Sequence, residues 1–284
     1  MVEISRVGDF SLGWGESLVW DDTRQRLVFA DCAAQTIHWL EAGADALHTY
    51  QAPSMPAGLV PTAEGTLLAM LGDGVHEVDL DAGTATLVTG YPAGLGDRAN
   101  DACADLDGNL VTGTLNLAPA EGSAWWYSST NGWRLLDDDI ANTNGPGAVV
   151  LDGEMTLVIG DTSAHYYAYP YDGGTGTVGD RRVFGDTALV AGRPDGTTID
   201  ADGGLWCAMV GGAQLARFTT EGLDRVVDLP VANPTDVTFG GADLDRLYVV
   251  SIGAGADGDS LEGALLVVDG LGHRGRLEPR FASR

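Results

Sequence analysis

The chain of 284 residues contains no lysine, so all 15 of its basic residues are arginines. Without lysine, the chain can form no Schiff base with a substrate or with pyridoxal phosphate, and it cannot build a Walker-type phosphate loop. Its 41 acidic residues give a net charge of −26, which repels nucleic acid and anionic membranes. Two explanations of this composition stay open: a GC-rich genome with selection for solubility, and adaptation to high salt.

Several other features are scarce. The three cysteines (Cys32, Cys103 and Cys207) form no CxxC pair, which favours buried thiols in a reduced compartment. No apolar stretch is long enough to span a bilayer, and the first residues lack the regions of a signal peptide. The five histidines show no metal-binding spacing, and a GxSxG motif is absent. We therefore expect a cytoplasmic protein with no membrane or nucleic-acid partner.

Sustained helical periodicity is also missing, whereas glycine is abundant, with 41 residues. A turn of acidic or glycine residues followed by an apolar, β-prone run recurs six times, for example in DLDGNLVTGT and DADGGLWCAM. Successive repeats are separated by 40, 43, 47, 48 and 42 residues, measured between the matching leucines Leu27, Leu67, Leu110, Leu157, Leu205 and Leu247. Strand-built repeats of about 40–50 residues are typical of propeller blades.

The rest of each repeat agrees with this interpretation. A second pair of strand-like runs joined by a glycine turn follows every phrase, including ALLVVDGLGHRGRL after the sixth. No linker or change of composition divides the chain, which predicts that residues 1–284 form one all-β domain, a six-bladed β-propeller. A β-sandwich or a barrel is the alternative. We expect the β-prone ends, VEISRV and GRLEPRFA, to share the last blade and close the ring.

Polar motifs precede four of the repeated phrases at similar distances. They are GES, RAND, TNG and PDG, and they contain Glu16, Asn100, Asn144 and Asp195. Because equivalent positions of propeller blades lie at the same height around the central axis, these side chains are expected to converge in the tunnel. Two carboxylates and two amide oxygens suit Ca²⁺, Mg²⁺ or Mn²⁺ and can also hold Zn²⁺ or Fe²⁺. The sequence thus predicts a central tunnel that contains a metal ion.

The segments WGESLVW, RANDACADLDGNLVTGT, TNGPGAVVLDG, RPDGTTIDADGGLW and FGGADLDRLYV follow one another in this order. Together they are similar to the family of senescence marker protein 30, gluconolactonase and luciferin-regenerating enzyme, from about residue 12 onwards. The resemblance implies a six-bladed propeller and a lactone hydrolase with one divalent metal ion in the tunnel. Ca²⁺ is the first choice for this ion, with Zn²⁺, Mn²⁺, Mg²⁺ and Fe²⁺ as alternatives.

The resemblance also implies roles for single residues. Glu16, Asn144 and Asp195 match the metal ligands, and Asp195 matches the residue that acts as general base. Arg98 and Asn100 resemble the pair that contacts substrate hydroxyl groups. Asp101 is assigned to substrate binding as well, although it could simply hold its loop.

The chain departs from the family pattern at three places. Leu18 replaces a proline that commonly follows the GES-like motif, so the turn beside Glu16 is expected to differ. Glu121 cannot be aligned with the substrate-binding acid of some relatives, because the segment after Leu115 is short. Asp236 stands where relatives usually carry a small or apolar residue; the cap of a strand is the favoured interpretation, and a polar contact in the tunnel is the alternative.

These observations lead to one main hypothesis for the function. The chain is expected to be a metal-dependent lactonase that opens a sugar (aldono) lactone to the aldonic acid, with Asp195 activating water. Its partner would be the small lactone, and its assembly a monomer or a small homo-oligomer. The alternatives are a hydrolase of a non-sugar lactone or an organophosphate, and a non-enzymatic, calcium-binding propeller.

Overall fold

The computed structural model of the chain describes residues 1–44, 46–95, 98–115, 122–253 and 260–283. Within these residues the strands form six antiparallel sheets, which follow one another along the chain as blades 1 to 6. The prediction of a six-bladed β-propeller is confirmed. In the same residues, no helix is long and apolar enough to cross a membrane.

Each blade is a meander of neighbouring strands, apart from the last, which is completed by the first strand of the chain, β1 (Glu3–Val7). Blade 1 consists of β2 (Gly15–Asp21), β3 (Arg26–Asp31), β4 (Thr36–Glu41) and β5 (His48–Gln51). Blade 2 consists of β6 (Leu59–Pro61), β7 (Leu67–Leu71), β8 (Gly74–Asp79) and β9 (Thr84–Thr89). Blade 3 consists of β10 (Arg98–Ala104), β11 (Leu110–Leu115), β12 (Ala124–Ser128) and β13 (Gly132–Asp137). Blade 4 consists of β14 (Thr143–Leu151), β15 (Glu154–Asp161), β16 (Tyr166–Asp172), β17 (Thr177–Val178) and β18 (Arg182–Gly185). Blade 5 consists of β19 (Arg193–Ile199), β20 (Leu205–Val210), β21 (Gln214–Thr219) and β22 (Gly222–Asp228). Blade 6 consists of β23 (Pro234–Gly240), β24 (Arg246–Ser251), β25 (Leu265–Asp269) and β1. A short 3-10 helix (Thr187–Leu189) precedes β19.

The repeated leucines lie in the second strand of each blade, and all of them are buried. The acidic turns before these strands are held by local hydrogen bonds. In blade 3, Asp105 Oδ1 accepts from the backbone N–H of Asp107 and of Asn109, at 2.9 and 2.8 Å. Gly108 completes this turn with a φ of 81°, a conformation that costs glycine little. The repeated phrase is therefore a turn that leads into a core strand.

The hydrophobic core is divided among the blade interfaces. In the described part of the chain, six clusters of buried apolar side chains each join two neighbouring blades. Trp206 of blade 5 and Phe239 of blade 6, for example, meet edge to face with ring centroids 6.3 Å apart. Since burial of one large apolar side chain contributes about 1.5–3 kcal/mol, every interface contributes to closing the ring.

The N-terminus closes the ring as expected, but the C-terminus does not. Strand β1 pairs antiparallel with β25, from Glu3 opposite Asp269 to Val7 opposite Leu265. This pairing occupies the outer edge of β25, so the second strand predicted within ALLVVDGLGHRGRL has no place in blade 6. The chain turns at Gly270 and leaves the sheet. The prediction that GRLEPRFA shares the last blade is therefore wrong.

Residues 271–282 instead cross the end of the tunnel at which the inner strands finish, and we call them the C-terminal strap. The strap is bonded to every blade: Gly275 N–H to Leu244 O, Ala201 N–H to Arg274 O, Arg276 to Ala148 O, Ala282 N–H to Gly108 O, Phe281 N–H to Pro61 O, and Arg280 to Asp22. Glu278 lies in the middle of the strap and accepts a hydrogen bond from Thr198 at 3.0 Å. The strap therefore covers one end of the tunnel.

Candidate active site

The first strands of the blades (β2, β6, β10, β14, β19 and β23) pack against one another around the axis and line the tunnel. Five of them break their pairing register near their start, and the predicted site residues lie in these β-bulges or directly beside them. The register shifts lie at Glu16/Val19, Ala99/Ala102, Asn144/Gly147, Pro194/Thr197 and Pro234/Asp236. A bulge redirects side chains out of the regular alternation of a strand. The site is thus built at the end of the tunnel opposite the strap.

Asn100 and Asn144 meet across the boundary between blades 3 and 4. The Nδ2 group of Asn100 donates to Asn144 Oδ1 at 2.7 Å and to the carbonyl oxygen of Thr143 at 3.0 Å. Asn144 Nδ2 in turn donates to Thr162 Oγ1 at 2.6 Å. These bonds use the amide nitrogens of both residues as donors and one lone pair of Asn144 Oδ1, so the second lone pair of that oxygen can still bind a cation.

The residue after Asn144 must be glycine. Gly145 has a φ of 48°, and a Cβ atom there would lie 2.4 Å from Cγ2 of Thr197. The backbone of this bulge is held from both sides, because Gly145 N–H donates to Asp101 Oδ2 at 2.7 Å and Thr197 Oγ1 donates to Gly145 O at 2.8 Å. The TNG motif therefore encodes the bulge that orients Asn144.

Glu16 and Arg98 share one neighbour, Trp14. The indole Nε1–H of Trp14 donates to Glu16 Oε1 at 2.8 Å, and the guanidinium of Arg98 lies over the Trp14 ring, 5.6 Å from its centroid. Glu16, Arg98, Asn100 and Asp101 line the same pocket. The structure thus brings a predicted metal ligand and the predicted substrate-binding residues together.

Asp195 is the third residue of β19 and is 7% exposed. Tyr166 fixes its backbone. The Tyr166 hydroxyl donates to Asp195 O at 2.6 Å and accepts from Asp195 N–H at 3.0 Å. These bonds hold the backbone, and the Asp195 carboxylate lies close enough to Asp101 and Asp236 for their charges to act on it. A Cβ atom at Gly196 would lie 2.1 Å from Asp236 Oδ1, so this glycine allows the close approach of β23.

Asp236 lies inside the tunnel, which corrects its interpretation as a strand cap. It is the third residue of β23 and is 6% exposed. Together with Asp101 and with Glu278 of the strap, it lines a pocket inside the tunnel. Its Oδ2 accepts from Leu18 N–H at 2.6 Å, and its Oδ1 accepts from Val237 N–H at 2.7 Å. Two of the three departures from the family pattern, Leu18 and Asp236, are therefore hydrogen-bond partners.

Burial, and for three of them the charges of the others, raises the pKa values of the acids at this end of the tunnel. Burial, followed by the charges of Asp195 and Asp101, raises the pKa of Glu16 well above its usual value. Burial, followed by the charges of Asp101 and Asp236, raises the pKa of Asp195 well above its usual value. Burial raises the pKa of Asp101 to about 6, and burial with Asp101 and Glu16 raises that of Asp236. This end of the tunnel therefore has an excess of buried negative charge.

We tested whether these residues fit a divalent cation. In the described ranges, no group of three or more His, Cys, Asp and Glu side chains could hold a metal ion. The predicted set contains two such side chains, Glu16 and Asp195, and depends on amide oxygens for the rest. Oxygen donors are those that hard dications prefer, and a dication would offset the charge that raises these pKa values. The donor chemistry therefore fits an ion of this class.

The sequence did not single out every residue of the site. Trp14 is a direct neighbour of the GES motif, and that position was the available signal. Tyr166 and Thr162 belong to other strands or turns, so no local pattern connects them with Asp195 and Asn144. Glu121 lies outside the described residues.

Comparison with known proteins agrees with this architecture. Residues 14–253 match the family model described as the SMP-30/Gluconolactonase/LRE-like region. Pentonolactonase XacC of Haloferax volcanii is 30% identical over 284 residues, which cover 99% of this chain and 96% of that protein. The 6-deoxy-6-sulfogluconolactonase of Pseudomonas putida is 30% identical over 255 residues, with 84% and 82% covered. The crystal structure of a calcium-binding protein, regucalcin, from Agrobacterium tumefaciens superimposes with a TM-score of 0.87 at 26% identity, over 97% of this chain and 96% of that one. The chain therefore belongs to the SMP-30/gluconolactonase/LRE-like family.

Proposed function

We propose that this chain is a divalent-metal-dependent lactonase that opens a sugar lactone to the corresponding aldonic acid. The observation that carries the proposal is the convergence of Glu16, Asn144 and Asp195 with Arg98 and Asn100 at one end of the tunnel. Membership in the family supports it, as do the names of two relatives, which are sugar lactonases. In this proposal Glu16, Asn144 and Asp195 hold the ion, with Ca²⁺ as the first candidate.

The bound ion would act as a Lewis acid towards the lactone carbonyl and the negative charge that develops on its oxygen. The protein's own residues then have two tasks, to hold the sugar and to move protons. Arg98 has donors for the ring hydroxyls, and its position over Trp14 restricts the guanidinium before substrate arrives. Asn100 and Asp101 line the same pocket and are assigned to substrate contact.

Asp195 serves as the general base. It accepts a proton from the water whose oxygen forms the new bond to the carbonyl carbon, and the proton is returned to the ring oxygen when the C–O bond of the lactone breaks. A carboxylate beside a cation is a weak base, because the cation lowers its pKa. Burial, and the charges of Asp101 and Asp236, raise the pKa of Asp195 and so oppose this effect. General-base assistance of this kind contributes about 10²–10⁴-fold to a rate.

The test is a pH-indicator assay on chelator-treated protein, with a panel of sugar lactones, non-sugar lactones and phosphotriesters crossed with Ca²⁺, Mg²⁺, Mn²⁺, Zn²⁺ and Fe²⁺. We expect sugar lactones to be hydrolysed faster than they open spontaneously, and this rate to return when one of the ions is added back. Activity on phosphotriesters alone, or on non-sugar lactones alone, would show that the substrate is not a sugar lactone.

Asp195→Asn and Asp200→Asn form a matched pair for this assay. Both replace a buried carboxylate by an amide, but Asp200 lies in the turn after β19, beside the strap, and is bonded to Arg217. The Asp195 variant should lose activity and the Asp200 variant should keep it. Folded protein that binds an ion but hydrolyses no substrate of the panel would favour the calcium-binding alternative over an enzyme.

A further inference from the structure

The bulges that carry Glu16 and Asn144 are supported in the same way by an acid of the preceding blade. Asp236 of blade 6 accepts from its own next residue, Val237, through Oδ1 and from Leu18 of blade 1 through Oδ2. Asp101 of blade 3 accepts from Ala102 through Oδ1 and from Gly145 of blade 4 through Oδ2. The four distances lie between 2.6 and 2.7 Å.

The N–H groups that cross the blade boundary belong to the residues just after the proposed ion ligands. Gly145 directly follows Asn144, and Leu18 follows Glu16 with one residue between them. Both bulges contain a left-handed residue, Ser17 with a φ of 54° and Gly145 with a φ of 48°. A left-handed serine costs conformational energy and persists when surrounding contacts determine it. The carboxylate of Asp236 provides such a contact for the Glu16 bulge.

We propose that Asp236 is a positioning residue which, through the N–H of Leu18, fixes the bulge of β2 that presents Glu16 to the site. Asp101 plays the same part for the bulge of β14 that presents Asn144. The two supports lie half-way around the ring from each other, between blades 6 and 1 and between blades 3 and 4. This inference rests on the proposed function where it concerns ion binding, but the support of the β2 backbone does not depend on it.

The bond to Asp236 uses the backbone N–H of Leu18. A proline, which resembling sequences commonly carry at this place, has no N–H and would leave Asp236 Oδ2 without this donor. The pair therefore predicts coupling: removal of the donor and removal of the acceptor should have the same effect, and the second change should add little to the first.

The test uses Asp236→Ala, Leu18→Pro and the double variant, with Asp200→Asn as the control for loss of a buried carboxylate. Two quantities are measured on full-length protein: hydrogen exchange of the peptide that covers residues 14–21, and the affinity for Ca²⁺ and Mn²⁺ by calorimetry. We expect faster exchange in this peptide and an affinity lower by about 10–100-fold, the usual effect of removing a group that orients a metal ligand. The double variant should resemble the single ones, and the control should keep wild-type affinity.

Unchanged exchange in residues 14–21 of the Asp236 variant would overturn the inference, as would faster exchange with wild-type ion affinity. Multiplicative losses in the double variant would show that Leu18 and Asp236 act independently, which also contradicts it. If Asp236→Ala fails to fold, Asp236→Asn keeps the shape and one acceptor oxygen and is measured in its place. A wild-type protein that binds no dication would overturn the proposed metal dependence, and exchange at residues 14–21 would then decide the positioning role alone.

Discussion

Asp200, in the turn beside the strap, and the acids of the candidate site, at the opposite end of the propeller, are surrounded by opposite partners. At the strap end, Asp200 Oδ2 accepts from Arg217 Nε at 2.7 Å, and the carboxylate also accepts from Gly204 N–H and Trp206 Nε1. Burial alone would raise the pKa of Asp200, yet these hydrogen bonds and the charge of Arg217 hold it below its usual value. The Asp200 carboxylate is therefore paired with a cation, whereas burial raises the pKa of Glu278 in the middle of the strap.

At the opposite end, Asp195 and Asp236 are buried, Glu16 is half-buried, and the pKa values of all three are raised. Arg98 and Arg193 lower the pKa values of Glu16 and Asp195, but these effects rank below those of burial and of the other acids. Burial is thus not what distinguishes a structural acid from a candidate ligand. The number of cations and donors that face it makes the difference.

The largest effect is expected from the site end. Asp195→Ala removes both a proposed ion ligand and the proposed base, so lactone hydrolysis should fall by at least about 10³-fold. Calorimetry should show that ion binding is lost with it. Retention of activity by a folded Asp195→Ala protein would contradict both assignments.

Arg217→Met instead removes the cation that is paired with Asp200. It leaves the charge of Asp200 buried without its cation, which typically costs about 3–5 kcal/mol of stability. Urea denaturation should show this loss, whereas ion affinity should stay at the wild-type value. Because the pKa of Asp200 is depressed in the folded state, its contribution is present above the unfolded pKa of about 3.8 and is lost as pH falls through the folded pKa. The variant should lack this sensitivity to acid.

The raised carboxyl pKa values of the candidate site should make the stability of the fold depend on pH in the opposite direction. A raised carboxyl pKa stabilises the fold below the unfolded pKa, and this stability is lost as pH rises through the folded pKa, which is about 6 for Asp101. Chelator-treated protein should therefore melt at a lower temperature at pH 8 than at pH 5, by roughly 5 °C. Saturating Ca²⁺ should raise the melting temperature more at pH 8 than at pH 5. An equal shift at both pH values would mean that the ion binds away from these acids.

The smallest effect should come from Arg98→Ala. The guanidinium is assigned to the substrate and not to the ion, so KM for a sugar lactone should rise about tenfold, which corresponds to one lost charge-assisted hydrogen bond. Ion affinity should be unchanged. Steady-state kinetics and calorimetry on the same preparation check both statements, and an Arg98 variant with wild-type KM for every lactone would remove Arg98 from the substrate site.

Much of the fold was accessible from the sequence because each blade repeats a local pattern. The turn before Leu110 and the strand that contains it can be recognised within about ten residues, and six such units define the ring. The C-terminal strap was not predictable in this way. Its β-prone residues 275–282 resemble an edge strand, and their place at the end of the tunnel follows from β1 having filled the edge of β25.

The candidate site was likewise predictable from the sequence only in part. Glu16, Asn144 and Asp195 were predictable as a set because they occupy equivalent places in repeated blades, and their roles stay predictions. The bonds of Trp14 to Glu16 and of Tyr166 to Asp195 join residues in ways that no motif records. The pairing of Leu18 with Asp236 spans 218 residues, and each of them alone looked like an isolated departure from a pattern.

What the amino-acid sequence by itself determined was the repeating unit, the number of blades, and the height at which the polar motifs meet the axis, since all three follow from local turns and the alternation of strands. The tertiary structure alone decided which end of the tunnel the strap covers, which acids receive arginine partners, and which backbone N–H groups support the bulges. Those outcomes depend on closing the ring, because closure brings blade 6 against blade 1 and places the carboxylates of distant repeats within reach of one another's charge.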